Sequence, residues 1–72
     1  MTEMDLEKLT ELRKTISKLE IIAELKNNSQ NALARLYYQK AAMLVIKSYC
    51  MKYGDEHKSN LVKYYLNLTN RG

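Results

Sequence analysis

Residues 31–54, NALARLYYQKAAMLVIKSYCMKYG, make up one-third of the chain and are apolar almost all the way round. No proline interrupts them, and their only glycine, Gly54, stands at the end. Read as a helix from about Gln30 to Tyr53, the stretch spans roughly 36 Å at 1.5 Å per residue. A helix that is apolar on every side is buried on several sides. A chain of 72 residues has only two further segments with which to cover it. Whatever they leave bare is surface for another molecule. The expected fold class follows: all-α, a three-helix antiparallel bundle with a long central apolar helix, forming a dimer. The whole chain is one small domain.

A core this small stabilises a fold by only about 3–5 kcal/mol, so such chains lean on a disulfide, a metal or another subunit. Cys50 is the sole cysteine, which rules out an intrachain disulfide. With His57 as the sole histidine, a closed four-ligand zinc site is not available from Cys and His either. No cofactor is expected. Association with a second copy or a partner protein is the support that remains.

The longest continuous apolar run is AAMLVI, residues 41–46. A membrane span needs about 20 apolar residues, so none is expected. The start, MTEMDLEKL, lacks the basic and apolar regions of a signal peptide. Together with the lone thiol this points to the cytoplasm. The glycosylation-type triplets at Asn27 and Asn67 are then accidental.

The first helix is expected from about Asp5 to Lys26. Leu9, Leu12, Ile16, Leu19 and Ala23 follow the 3,4 spacing of a helical seam, which Leu6, Ile22 and Leu25 widen. Residues 27–30, NNSQ, break the pattern. Asn27 or Asn28 suits a left-handed closing residue, and Ser29 suits the cap of the second helix. So short a link makes the two helices antiparallel neighbours. Gly54 ends the second helix. The third runs from about Lys58 to Thr69, with Leu61, Tyr64, Tyr65 and Leu68 on one face. Asp55 or, by preference, Ser59 caps it, and the tail NRG frays.

Candidate chemistry is sparse. His57 follows Gly-Asp-Glu in a turn, and as a base it needs a partner within reach; an exposed loop histidine is the preferred reading. Cys50 reads as a small buried hydrophobe. No glycine-rich phosphate loop exists. Asn31, Arg35 and Gln39 form a polar stripe at i, i+4, i+8, either fixing helix packing or meeting an anionic partner. Lys40 and Lys47 share a helix face, and Lys58 lies near the second turn with Lys52 and Lys63. Scattered lysines and tyrosines of this kind can meet a nucleic-acid backbone, although a net charge of +4 without a dense basic run favours a solvated face. The candidate binding residues are therefore Asn31, Arg35, Gln39, Lys40, Lys47, His57 and Lys58, with no catalytic residue and no metal ligand.

From residue 30 to about residue 62 the chain resembles the HEPN family of small helical domains. The likeness rests on Asn31, Ala32, Arg35, Tyr37, Tyr38 and Ala41 or Ala42, then Gly54, then Lys58 and Ser59. It implies a helical bundle that pairs with itself and with nucleotidyltransferase-type partners in toxin–antitoxin or defence modules. Active members are metal-independent RNases that use an arginine followed a few residues later by a histidine. Here Asn60 stands roughly where that histidine belongs, and only Lys52 precedes His57 at the right distance. The expectation is a non-enzymatic, HEPN-like interaction module that self-associates and docks a partner protein or nucleic acid. Two alternatives stay open at this point: a small helical co-chaperone or inhibitor, and a divergent RNase using His57 with Lys52 or Arg35.

Overall fold

The computed structural model describes residues 2–70, apart from the side chain of Met4. Of the tail expected to fray, Arg71 and Gly72 lie outside the described residues. The described residues form three helices and no strand: α1, Glu3–Asn28; α2, Ala32–Tyr53; and α3, Lys58–Thr69. Side-chain pairs fix their directions. Glu7 meets Lys52 and Tyr53, whereas Lys26 meets Gln39, so α1 and α2 are antiparallel. Lys8–Glu56, Glu20–Tyr64 and Asn27–Leu68 rise together, so α3 lies along α1 and antiparallel to α2. The expected all-α three-helix bundle is what forms.

The helix ends depart from expectation in instructive ways. α1 begins at Glu3, two residues early, because Thr2 and Asp5 form a reciprocal capping box. The Thr2 hydroxyl accepts from the Asp5 amide at 3.3 Å, and the Asp5 carboxylate accepts from the Thr2 amide at 3.3 Å. Neither Asn27 nor Asn28 turns left-handed; both stay in α1, and the chain leaves through an extended Ser29. Asn27 has another use: its amide donates to the Leu68 carbonyl at 2.9 Å, satisfying one of the orphan acceptors at the end of α3. Asn31, not Ser29, caps α2, so that helix starts at Ala32 rather than Gln30. The Asn31 side chain accepts from the amides of Leu33 and Ala34 at 2.9 and 3.2 Å. Asparagine sits at the position whose carbonyl reaches both free amides. Gly54 closes α2 with φ +98°, a conformation that disfavours any side chain. Neither Asp55 nor Ser59 caps α3 with its side chain. His57 holds the cap position without such a bond, the Asp55 backbone carbonyl accepts from Lys58 at 3.1 Å, and Ser59 lies inside the helix.

The core is built from Leu19 and Ala23 of α1, Ala42, Ile46, Tyr49 and Cys50 of α2, and Leu61 and Tyr65 of α3. Leu12, Ile16 and Ile22 pack on it, but Leu6, Leu9 and Leu25 are exposed. The inner face of α1 thus takes in Thr15, which the seam reading left out, and leaves Leu9, which it included, exposed. Thr15 is tolerated because its hydroxyl donates to the Glu11 carbonyl at 2.8 Å. On α2 only Ala42, Ile46, Tyr49 and Cys50 are fully buried, one side of a helix that looks apolar throughout. The bundle is a rod of 44 × 18 × 16 Å with a radius of gyration of 13.1 Å. A spherical domain of this length would have about 11 Å. An elongated body has more surface for its core, and α2 bears the consequence.

Leu19→Ala is expected to cost about 2–5 kcal/mol, comparable to the whole stability of so small a core. Leu44→Ala, on the exposed side of α2, should stay within about 0.5 kcal/mol. Urea titration followed by circular dichroism separates the two.

Candidate interaction surface

The residues singled out from sequence fall in three places. At the α1–α2 end, Asn31 is the α2 cap, and Arg35 donates from Nη1 to the Ser29 carbonyl at 3.3 Å. Gln39 accepts from Lys26 Nζ at 2.9 Å. Arg35 and Gln39 border a shallow depression with Lys26, Ala32 and Leu36. The polar stripe therefore shapes the hairpin link and one inter-helix contact.

His57 and Lys58 lie at the opposite end. His57 is partly buried where α3 meets α1, lining an apolar groove of about 360 Å³ with Leu12, Ile16, Asn60, Leu61 and Tyr64. A second, smaller recess beside it brings in Asp5, Lys8, Leu9 and Tyr49. Neither groove is lined by an arginine. Arg35 and Tyr53 are 18 positions apart on α2, about 27 Å along the axis, so Arg35 cannot serve His57. Lys8 is held by Glu56 at 3.1 Å, which raises its pKa and lowers that of the carboxyl. Lys52 is likewise engaged: its ammonium lies 3.5 Å from Glu7 and 5.3 Å from the Tyr53 ring centre. The hydrogen bond with Tyr53 and the charge of Glu7 raise its pKa, so it stays protonated. Among the described residues no three His, Cys, Asp or Glu side chains are grouped to hold a metal. Nor is any described helix long and apolar enough to cross a membrane.

Lys40 and Lys47 define the third place, the outer face of α2. They share it with Leu33, Tyr37 and Leu44, each 60–62% exposed, and with Met51 at 77%. The order Leu33, Tyr37, Lys40, Leu44, Lys47, Met51 alternates four and three positions, the spacing of a seam that meets another helix. Neither α1 nor α3 covers it. Leu36 flanks it and is equally bare. From Ala32 to Tyr53 there is no carboxylate, and neither lysine makes an ion pair among the described residues. Sequence reasoning found the two lysines but missed the seam. The 4,3 spacing was present, hidden because neighbouring positions on the other faces are apolar as well.

Two core features bear on chemistry. Burial pushes the Cys50 thiol pKa up, with the Asp55 charge adding to it against Lys58. Burial does the same for the Tyr49 and Tyr65 phenols, whose hydroxyls have no hydrogen-bond partner among the described residues. The structure thus holds a protonated, shielded thiol and two unpaired hydroxyls. Comparison with protein families, with curated proteins and with solved structures finds no match to this chain.

Cys50 should react with a disulfide reagent at least about tenfold more slowly in the native protein than in the guanidinium-unfolded chain, because only an exposed thiolate attacks. Raised acid pKa values also make stability pH-dependent. In the unfolded chain these groups ionise near their ordinary values, about 8.5 for the thiol and about 10 for the phenols. In the folded chain they ionise later, so stability is full below those values and falls as pH rises through them. Melting temperature is expected to drop between about pH 9 and about pH 11. Tyr65→Phe should flatten the drop and raise stability at neutral pH by roughly 1 kcal/mol, by deleting an unpaired buried hydroxyl. Calorimetry across that range checks both.

Proposed function

We propose that the protein is a non-enzymatic helical interaction module, HEPN-like in type, that docks a partner protein through the outer face of α2. The observation that carries this reading is the uncovered run Leu33, Tyr37, Leu44 and Met51 on the longest apolar helix. Small domains leave scattered hydrophobes bare without consequence, but a continuous seam at helical spacing marks a binding face. The family likeness is the second support, since Arg35, Tyr37 and Tyr38 lie on this same helix. Toxin–antitoxin or defence modules are the setting that likeness implies.

An RNase reading is less well supported. Arg35 and His57 sit at opposite ends of α2, and Lys52 is occupied by Glu7. Nucleic-acid docking is also less well supported, because Lys40 and Lys47 are set in an apolar seam rather than along a basic track. Self-association through α2 would gather four lysines with no carboxylate from that helix, so an unlike partner is preferred.

Photo-crosslinking in cells that express the protein tests the proposal. A photoreactive residue at Leu44 or Met51 is expected to give a discrete adduct, and one at Glu24, on the exposed side of α1, is not. Equal adducts from both faces, or none from α2, would remove the proposal. Cleavage of RNA by the parent that is lost in His57→Ala would establish an enzyme in its place.

A further inference from the structure

We infer that the partner presents an amphipathic helix whose apolar seam carries carboxylates facing Lys40 and Lys47. This rests on the docking role of α2 and names the chemistry of its occupant. The exposed seam runs in two columns with seven-residue repeats: Leu33, Lys40 and Lys47 in one, Tyr37, Leu44 and Met51 in the other. Their alternation is the a/d pattern of a two-helix interface. From Leu33 to Met51 the seam is 18 positions long, about 27 Å, so it matches a partner helix of about five turns.

The first column decides the sign of the partner's charge. Lysine can lay its stem along apolar surface, but its ammonium must stay in water or meet an opposite charge. A helix laid over this seam takes much of the water away. α2 holds four cationic residues and no acidic one, and the two lysines on the seam are not neutralised from α1 or α3. The missing anions must come from the partner. A second copy brings none on its α2: a parallel pair stacks like charges directly, and an antiparallel pair gathers the same four ammonium groups along one seam. Like charges in that arrangement are how coiled coils reject a partner.

An anionic membrane is the rival occupant. Helices that lie on lipid present a wide apolar face and keep their lysines on the polar side. Here α1 and α3 take the other faces of α2, and the lysines sit inside the remaining stripe. That geometry fits a helix better than a bilayer.

Three synthetic helical peptides test this, each with leucine at its seam and with Glu, Gln or Lys at the two positions that face Lys40 and Lys47. Fluorescence anisotropy with the full chain should show the Glu peptide binding at least about tenfold tighter than the Gln peptide, with the Lys peptide weakest. The preference should shrink between about 50 mM and about 300 mM salt and reverse in the Lys40→Glu/Lys47→Glu variant. Both positions are exposed, and circular dichroism verifies that the variant folds. Equal binding of all three peptides, abolished by Leu44→Glu, would overturn the acidic partner while leaving the docking face in place. No peptide binding, with crosslinking at Leu44 intact, would do the same. Binding of phosphatidylserine vesicles that competes at Leu44, with no peptide bound, would overturn the inference in favour of a membrane. Sedimentation showing a dimer that Lys40→Glu/Lys47→Glu dissociates would overturn it in favour of a second copy.

Discussion

Everything in this molecule rests on the contact between α1 and α2, closed over Leu19, Ala23, Ala42 and Ile46. It is the most extensive of the three helix interfaces, and α3 has no independent claim to stability. A helix of 12 residues is marginal alone in water. It forms because Leu61 and Tyr65 enter a slot that the other two helices have already made. Three polar links then set its position along α1: Glu56 to Lys8, Tyr64 to Glu20, and the Leu68 carbonyl to Asn27. Such exposed links contribute little to stability. They fix register, and the apolar slot supplies the energy.

The slot itself is not ideally filled. Tyr49 and Tyr65 are large, buried and amphipathic, and neither hydroxyl has a hydrogen-bond partner among the described residues. Each unpaired hydroxyl costs roughly 1–3 kcal/mol, which is large against the total for a core of this size. Partial compensation comes from packing: the Tyr49 and Tyr53 rings lie 5.2 Å apart, and the Lys26 ammonium sits 6.0 Å from the centre of the Tyr65 ring. A fold so constituted benefits from any partner that covers α2. Binding to the native state alone stabilises it by mass action. The bare seam and the modest core are two sides of one arrangement.

The broad architecture was legible in the sequence. The lack of proline, the paired periodic segments and Gly54 led directly to three helices in the order observed. Capping was legible only in part, because NNSQN offers several residues of similar chemistry. Which one caps depends on where the chain must turn, and that is set by the packing of α1 on α2. The α1 face was misplaced at Leu9 because a seam reading assumes one neighbour, whereas α1 faces two. The candidate surface was half legible. Lys40 and Lys47 stood out as polar residues in an apolar helix, yet nothing in their spacing told which of several apolar columns would be left bare. That choice is made by α3, whose shortness and direction decide what it covers. The RNase alternative could pair His57 with Arg35 on the sequence alone, and the length of α2 separates the two.

The two links between the helices, residues 29–31 and 54–57, are short, and successive helices lie side by side in alternating directions. Most contacts in such a bundle lie within its helices, between residues close along the chain, which places it among fast-folding topologies, on the microsecond to millisecond scale. No prolyl bond exists to delay it. A nascent chain would therefore reach its bundle soon after α3 clears the ribosome. The outer face of α2 would be on display from that moment, and under the docking proposal the supply of a partner, more than any step in folding, would set how long the seam stays in water.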